Sequence, residues 1–260
     1  LGSRVPHAVL LVGPSSVGKA SLAEDLAAAL LCTGAAGADR PCRACRGCRL
    51  VEHGNPPDLP RVEPDGPGGQ IRIGASQHPE PGTIRWLAAT VALMPVEGGD
   101  RVAIVRDAHR MNEDAQSALL KTLEEPPAAT TLILCADDDE RLMPTVRSRC
   151  ARERLGAVGP RDVERLLADR GLADAPTAAR LARITAGRPG LAVAYATASG
   201  AEAIRAEIVR TLLDLLAARP AARLAAGRTL VARSLELAAL LGAATAGAGG
   251  ATESRRPVRG

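Results

Sequence analysis

The segment Gly13–Ala20, GPSSVGKA, has the glycine and lysine spacing of a phosphate-binding loop, G-x-x-x-x-G-K-[ST], but ends on Ala20 where the pattern asks for a hydroxyl. Such a loop turns backbone N–H groups toward phosphate oxygens at a helix N-terminus and sends its lysine to the outer phosphates. An apolar run at 8–12 precedes it and a helical pattern at 18–31 follows, which is the context the motif needs. Gly13, Gly18 and Lys19 are therefore the candidate cofactor-binding residues, for ATP or ADP. The missing hydroxyl is the one that would bind Mg²⁺. Ser21 lies one position on, about 100° around the helix, and is a poor substitute.

A second Mg²⁺ requirement is an acid at the end of a buried strand. P-loop ATPases of the AAA+ kind place Asp-Glu there. In RVAIVRDAHRMN the two positions are Arg106 and Asp107, so a guanidinium stands where the metal-binding carboxylate would be. Two losses around one ion predict that the Mg²⁺ site and Mg²⁺-dependent hydrolysis are gone. Nucleotide binding without hydrolysis stays open, with Arg106 pairing a phosphate in place of the metal.

Cys32, Cys42, Cys45 and Cys48 follow the spacing C-x9-C-x2-C-x2-C. Four thiolates in one short segment suit a tetrahedral, structural Zn²⁺ site. Flanking Arg40, Arg43, Arg46 and Arg49 are expected to favour the thiolate forms. Disulfides, redox thiols and free surface cysteines are the alternatives, and a cytosolic setting disfavours the first. Cys135 falls in a strand pattern and reads as a small core residue; His53 is an alternative ligand to the cluster but reads more as a surface residue.

The elements that must position these groups follow from the apolar pattern. Runs at 8–12, 101–106 and 130–136 read as buried strands, and 59–63 and 71–73 as shorter ones. Helices are expected over 18–31, with Leu22, Leu26, Ala29 and Leu30 on one face, over 83–93, and after an Asn112 cap up to Pro126. Apolar strands alternating with helices imply an α/β fold with a parallel sheet covered on both faces. Beyond residue 155 strand signals stop. The expected order is an α/β domain over 1–154, with the cysteine insert at 32–48. A helical lid follows at 155–200, then amphipathic helices at 201–242 and a disordered Gly/Ala-rich tail at 243–260.

With 46% hydrophobic residues the 260-residue chain can bury sizeable cores, which must be aliphatic because Phe is absent and Trp86 and Tyr195 are the sole large aromatics. A net charge of +4 permits nucleic-acid contact without arguing for it. No apolar run approaches the ~18 residues of a membrane span, and a cytoplasmic protein is the default expectation. The chain opens on Leu1 and enters a strand almost at once, which suggests an N-terminus outside this sequence.

Four features occur in one order: the phosphate loop, a four-cysteine insert behind its helix, NEDAQSALLKTLEEPP, and PTVRSRC. Together they resemble the bacterial DNA polymerase III clamp-loader family, AAA+ subunits that open the sliding clamp. Two subunit types of that family carry the zinc insert, gamma/tau and delta-prime. NPPDLPRVEP, MPVEGGDRVAIVRDAHRMN and the degraded Mg²⁺ ligands are similar to the delta-prime type, whereas 74–82 departs from both. The resemblance implies an AAA+ fold and no ATPase activity of the chain's own. Its partners would be gamma/tau, delta, the sliding clamp and, through the assembly, primer-template DNA. It gives Arg149 of Ser148-Arg149-Cys150 the role of an arginine finger, acting in trans on a neighbour's ATP. It also implies a C-terminal helical collar, for which 201–242 is short. Other readings are an active gamma/tau-type ATPase and a stand-alone nucleic-acid-binding zinc module with a vestigial loop.

Overall fold

The computed structural model describes residues 5–34, 39–54, 56–65, 68–97, 99–217 and 220–250. The chain forms two compact units, Leu1–Gly156 and Ala157–Gly260. The first holds strands β1 (Ala8–Val12), β2 (Arg61–Val62), β3 (Arg101–Val105), β4 (Thr130–Ala136) and β5 (Ala151–Arg154). Its helices are α1 (Lys19–Leu30), α2 (Arg46–Glu52), α3 (Ile84–Val91), α4 (Glu113–Glu124) and α5 (Pro144–Arg147). The strands make one parallel sheet in the order β2-β3-β4-β1-β5.

The strands β1, β3 and β4 are buried almost throughout, as a parallel sheet covered on both faces requires. Their period of two divides them between two cores. Leu10, Val105, Leu132 and Leu134 face Ile84, Leu87, Leu119 and Leu123 of α3 and α4. Leu11, Ile104, Ile133 and Cys135 face Ala23, Ala27 and Ala28 of α1. The buried stripe of α1 is thus alanine, with Leu26 and Leu30 flanking it, and Leu22 is exposed. The expected Leu22 face is corrected accordingly, because small residues let a helix lie close on the sheet.

β5 was not expected from the pattern. Its residues, ARER, are exposed and all but Ala151 are charged, as suits an edge strand that pairs β1 on one side and faces water on the other. The expected strand at 71–73 reduces to a bridge between Ile71 and Met111. The caps Thr83 of α3 and Asn112 of α4 accept from Trp86 N and Ala115 N.

The second unit holds α6 (Pro160–Asp169), α7 (Ala175–Ile184), α8 (Pro189–Thr197), α9 (Ala201–Ala217) and α10 (Pro220–Gly250). Val163, Leu167, Leu181 and Tyr195 form its core, with Leu237 and Leu241 of α10 packed against it. α10 continues through Gly250, so residues 243–250 are helical rather than disordered; alanine's helix propensity extends a helix already nucleated, against about 1 kcal/mol per glycine. Residues 251–260 of the expected tail lie outside the described residues. Arg188 caps α8 and donates from Nε to Thr185 O at 3.0 Å, a turn-forming role.

A buried ion pair braces the first unit. Arg101, at the start of β3, and Asp58 are almost fully enclosed and lie 3.0 Å apart. Asp58 also accepts from Val96 N (2.8 Å) and Glu97 N (2.9 Å), while Arg101 donates to Thr90 O, Leu93 O and Met94 O. Burial opposes ionisation of Asp58, but the two N–H groups and the guanidinium outweigh it and hold the carboxyl below its ordinary value. Its stabilisation is therefore complete above the unfolded pKa, about 3.9, and lost as pH falls through the lower folded value. Asp58→Ala leaves Arg101 buried and unpaired and should cost about 3–5 kcal/mol in denaturant unfolding at neutral pH, a loss that shrinks at acid pH.

Candidate functional site

β1, β3 and β4 are parallel, so their C-terminal ends share one edge of the sheet. That edge receives Gly13–Lys19 after β1, Arg106–His109 after β3 and Asp137 after β4. Gly18 starts α1 with φ 113°, a left-handed backbone that only glycine adopts without strain. Lys19 is 6% exposed, and its ammonium donates to Gly13 O (2.8 Å), Pro14 O (2.8 Å) and Asp137 Oδ1 (2.6 Å). All three of its N–H bonds thus have protein partners.

Asp137 was missing from the residues singled out by motif. It lies 118 positions from Lys19, so no local pattern connects the two. Its backbone N–H donates to Nδ1 of His109 at 3.2 Å. Asp107, His109 and Asp137 each offer a ligand atom within 4.8 Å of the others. Arg106 points elsewhere: it pairs with Glu24 at 3.1 Å and Glu63 at 3.5 Å, and Glu24 also takes a bidentate grip from Arg61. The sequence-based option of Arg106 pairing a phosphate is thus met by two carboxylates that already hold its guanidinium.

The four cysteines converge. The Sγ atoms of Cys32, Cys42, Cys45 and Cys48 lie within 4.8 Å of one another, against about 3.8 Å for the edge of a tetrahedron with 2.3 Å metal–sulfur bonds. Backbone N–H groups point at the sulfurs, Cys42 N to Cys32, Cys45 N to Cys42 and Cys48 N to Cys45. A β-carbon on Gly34 would come within 2.9 Å of Cys42 Sγ and Cys45 Cβ, so the segment closes on the sulfurs only with glycine there. Burial works against the Cys45 thiolate, but N–H groups of Cys48 and Thr33 and neighbouring thiols bring its pKa down to about 5. Burial and hydrogen bonding to Cys45 push Cys48 up to about 12. The pocket favours the Cys45 thiolate and opposes that of Cys48; a divalent cation would supply the charge that four thiolates need. The cluster could therefore hold a metal ion.

The flanking arginines act differently from the expectation. Arg43 pairs with Asp25 at 2.6 Å and Arg46 with Glu97 at 3.2 Å, and backbone N–H groups do most to favour the Cys45 thiolate. His53 ends α2 exposed and is not among the clustered ligands. Cys135 is a core residue whose thiol burial pushes up to about 12.

Arg149 lies elsewhere. It follows α5 and precedes β5, at the N-terminal edge of the parallel sheet, whereas the phosphate loop leaves the C-terminal edge. About 15 Å of strand separates the two edges. Its side chain is 34% exposed, and its guanidinium donates to Thr145 O at 2.9 Å and to Glu124 at 2.6 Å. The carbonyl of Thr145 and the last residue of α4 thus aim the side chain.

The sequence profile of the family described as DNA polymerase III, delta subunit matches residues 2–158. The chain belongs to that family. It is similar to DNA polymerase III subunit delta′ of Pseudomonas aeruginosa, with 35% identity over 220 residues, 83% of this chain and 64% of the relative. It is 32% identical to subunit delta′ of Bacillus subtilis over 178 residues, 68% of this chain and 50% of the relative. Subunit tau of Escherichia coli is 31% identical over 221 residues, 82% of this chain and 32% of that protein. This delta-family chain spans between half and two thirds of the length of the two delta′ relatives.

Purified under reducing conditions, the chain should carry one tightly bound metal ion by elemental analysis. Cys45→Ser should release it and lower the melting temperature, since a lost structural metal removes folding free energy outright.

Proposed function

We propose that the chain is a delta-prime-type clamp-loader subunit: a scaffold that does not hydrolyse ATP and that lends Arg149 to a neighbouring subunit's ATP. The observation that carries this reading is the placement of Arg149 at the sheet edge opposite the chain's own phosphate loop. A guanidinium there completes a phosphate site only on another chain, where it would stabilise charge developing on the transferred phosphoryl group. The phosphate loop meanwhile lacks a hydroxyl at Ala20, has Arg106 in place of a metal-binding acid, and spends Lys19 on internal partners.

The remaining features fit an assembly. Leu212, Leu213, Val231 and Leu235 of α9 and α10 are exposed, as expected of helices that pack in a collar with other subunits. In this reading the partners are gamma/tau, delta, the sliding clamp and primer-template DNA, in the cytoplasm; none of the described helices is long and apolar enough to cross a membrane. The four cysteines hold Zn²⁺, the ion that four thiolates in a closed tetrahedral set favour, and it serves as a cross-link that fixes the 32–48 segment behind α1.

A second reading, an active gamma/tau-type ATPase, draws on the 31% identity to tau. Ala20 and Arg106 weigh against it. The nucleic-acid zinc module loses ground because Arg43 and Arg46 are paired with carboxylates.

In an assembly reconstituted with gamma/tau and delta, Arg149→Ala should slow single-turnover hydrolysis at the site it completes by about 10³-fold, while zinc content and subunit association stay intact. The opposite pattern, turnover abolished by Lys19→Ala and retained in Arg149→Ala, contradicts the scaffold reading.

A further inference from the structure

We propose that Asp137 sets the ligand specificity of the phosphate loop: its carboxylate acts as a built-in anion that holds Lys19 and turns the loop away from nucleotide phosphates. The proposal goes beyond the role of Arg149 and stands whether or not that residue acts in trans.

Lys19 is the one cation the loop motif supplies, and its ammonium has three N–H bonds. Two go to the loop's own carbonyls, Gly13 O and Pro14 O, and the third to Asp137 Oδ1 at 2.6 Å. A phosphate oxygen approaching Lys19 must displace a carboxylate that costs nothing to bring there, because β4 delivers it beside β1 in the folded chain. The pair is also shielded, with the lysine side chain 6% and the aspartate 33% exposed, so water screens it less than a surface pair.

The surroundings hold Asp137 in place and add to the same charge. Its backbone N–H is tied to His109 Nδ1. Asp107 brings a second carboxylate to within 4.8 Å of the His109 and Asp137 ligand atoms. One carboxylate therefore holds the ammonium and a second lies close behind it, at the edge that receives the loop. Arg106, which adjoins Asp107 in sequence, is turned to Glu24 and Glu63. Juxtaposing like charges costs several kcal/mol, and no Mg²⁺ ligand at position 20 offsets it.

The test is calorimetric titration of the full chain with ATP, with and without Mg²⁺. Wild-type protein should bind weakly. Asp137→Asn keeps the shape and the backbone bond to His109 but removes the competing charge, and should bind ATP about tenfold or more tighter, equally in EDTA. The double variant Lys19→Ala/Asp137→Asn should lose that gain, which assigns it to the freed ammonium. If Asp137→Asn proves unstable because Lys19 has lost its counter-ion, ATP should restore its melting temperature, and Asp137→Thr should behave alike. Unchanged affinity in Asp137→Asn, a gain that survives in the double variant, a gain seen only with Mg²⁺, or an unstable variant that ATP does not rescue would each overturn the proposal. None of these outcomes bears on the turnover measured with Arg149→Ala.

Discussion

A parallel sheet buried on both faces leaves charge nowhere to go but the ends of its strands. β1, β3 and β4 are apolar on either side, so every polar group with a chemical role is carried in the segments that leave or enter them. Parallel pairing then sorts those groups by edge. The phosphate loop, Asp107, His109 and Asp137 gather at the C-terminal edge, and Arg149 is delivered to the other by the return through α5. The separation between the chain's own loop and its exposed guanidinium follows from topology, not from any local choice of residue.

Charge neutralisation inside the chain is a second recurring constraint. Lys19 is met by Asp137, Arg106 by Glu24 and Glu63, and Arg101 by Asp58. With only two lysines, the chain relies on arginine for cations, and arginine offers a planar fork that carbonyls and carboxylates can satisfy together. Here the cations brace loops. Arg149 has a different setting: Glu124 and the Thr145 carbonyl orient it but leave a third of it in water.

The cysteine insert depends less on the rest of the sheet. Cys45 both caps α2 and receives N–H bonds, and Gly34 gives the room that lets the sulfurs meet. A metal ion bound there would tie the end of α1 to α2.

Legibility in the sequence followed the reach of the interactions. The glycine and lysine spacing of 13–20, the C-x9-C-x2-C-x2-C set and the Asn112 cap were readable because their partners lie within a few residues. The buried strands were readable from unbroken apolar runs, whereas β5 was not, since an edge strand of charged residues carries no burial signal. The stripe of α1 was misread toward Leu22 because composition alone does not say that alanine, not leucine, meets the sheet. By itself, the sequence determined which groups are present, among them Lys19, Ala20, Arg106 and the four cysteines, since those are matters of residue type. Only the tertiary structure decided where the charges go: strand order sets β4 beside β1, and this brings Asp137 to Lys19 across 118 positions.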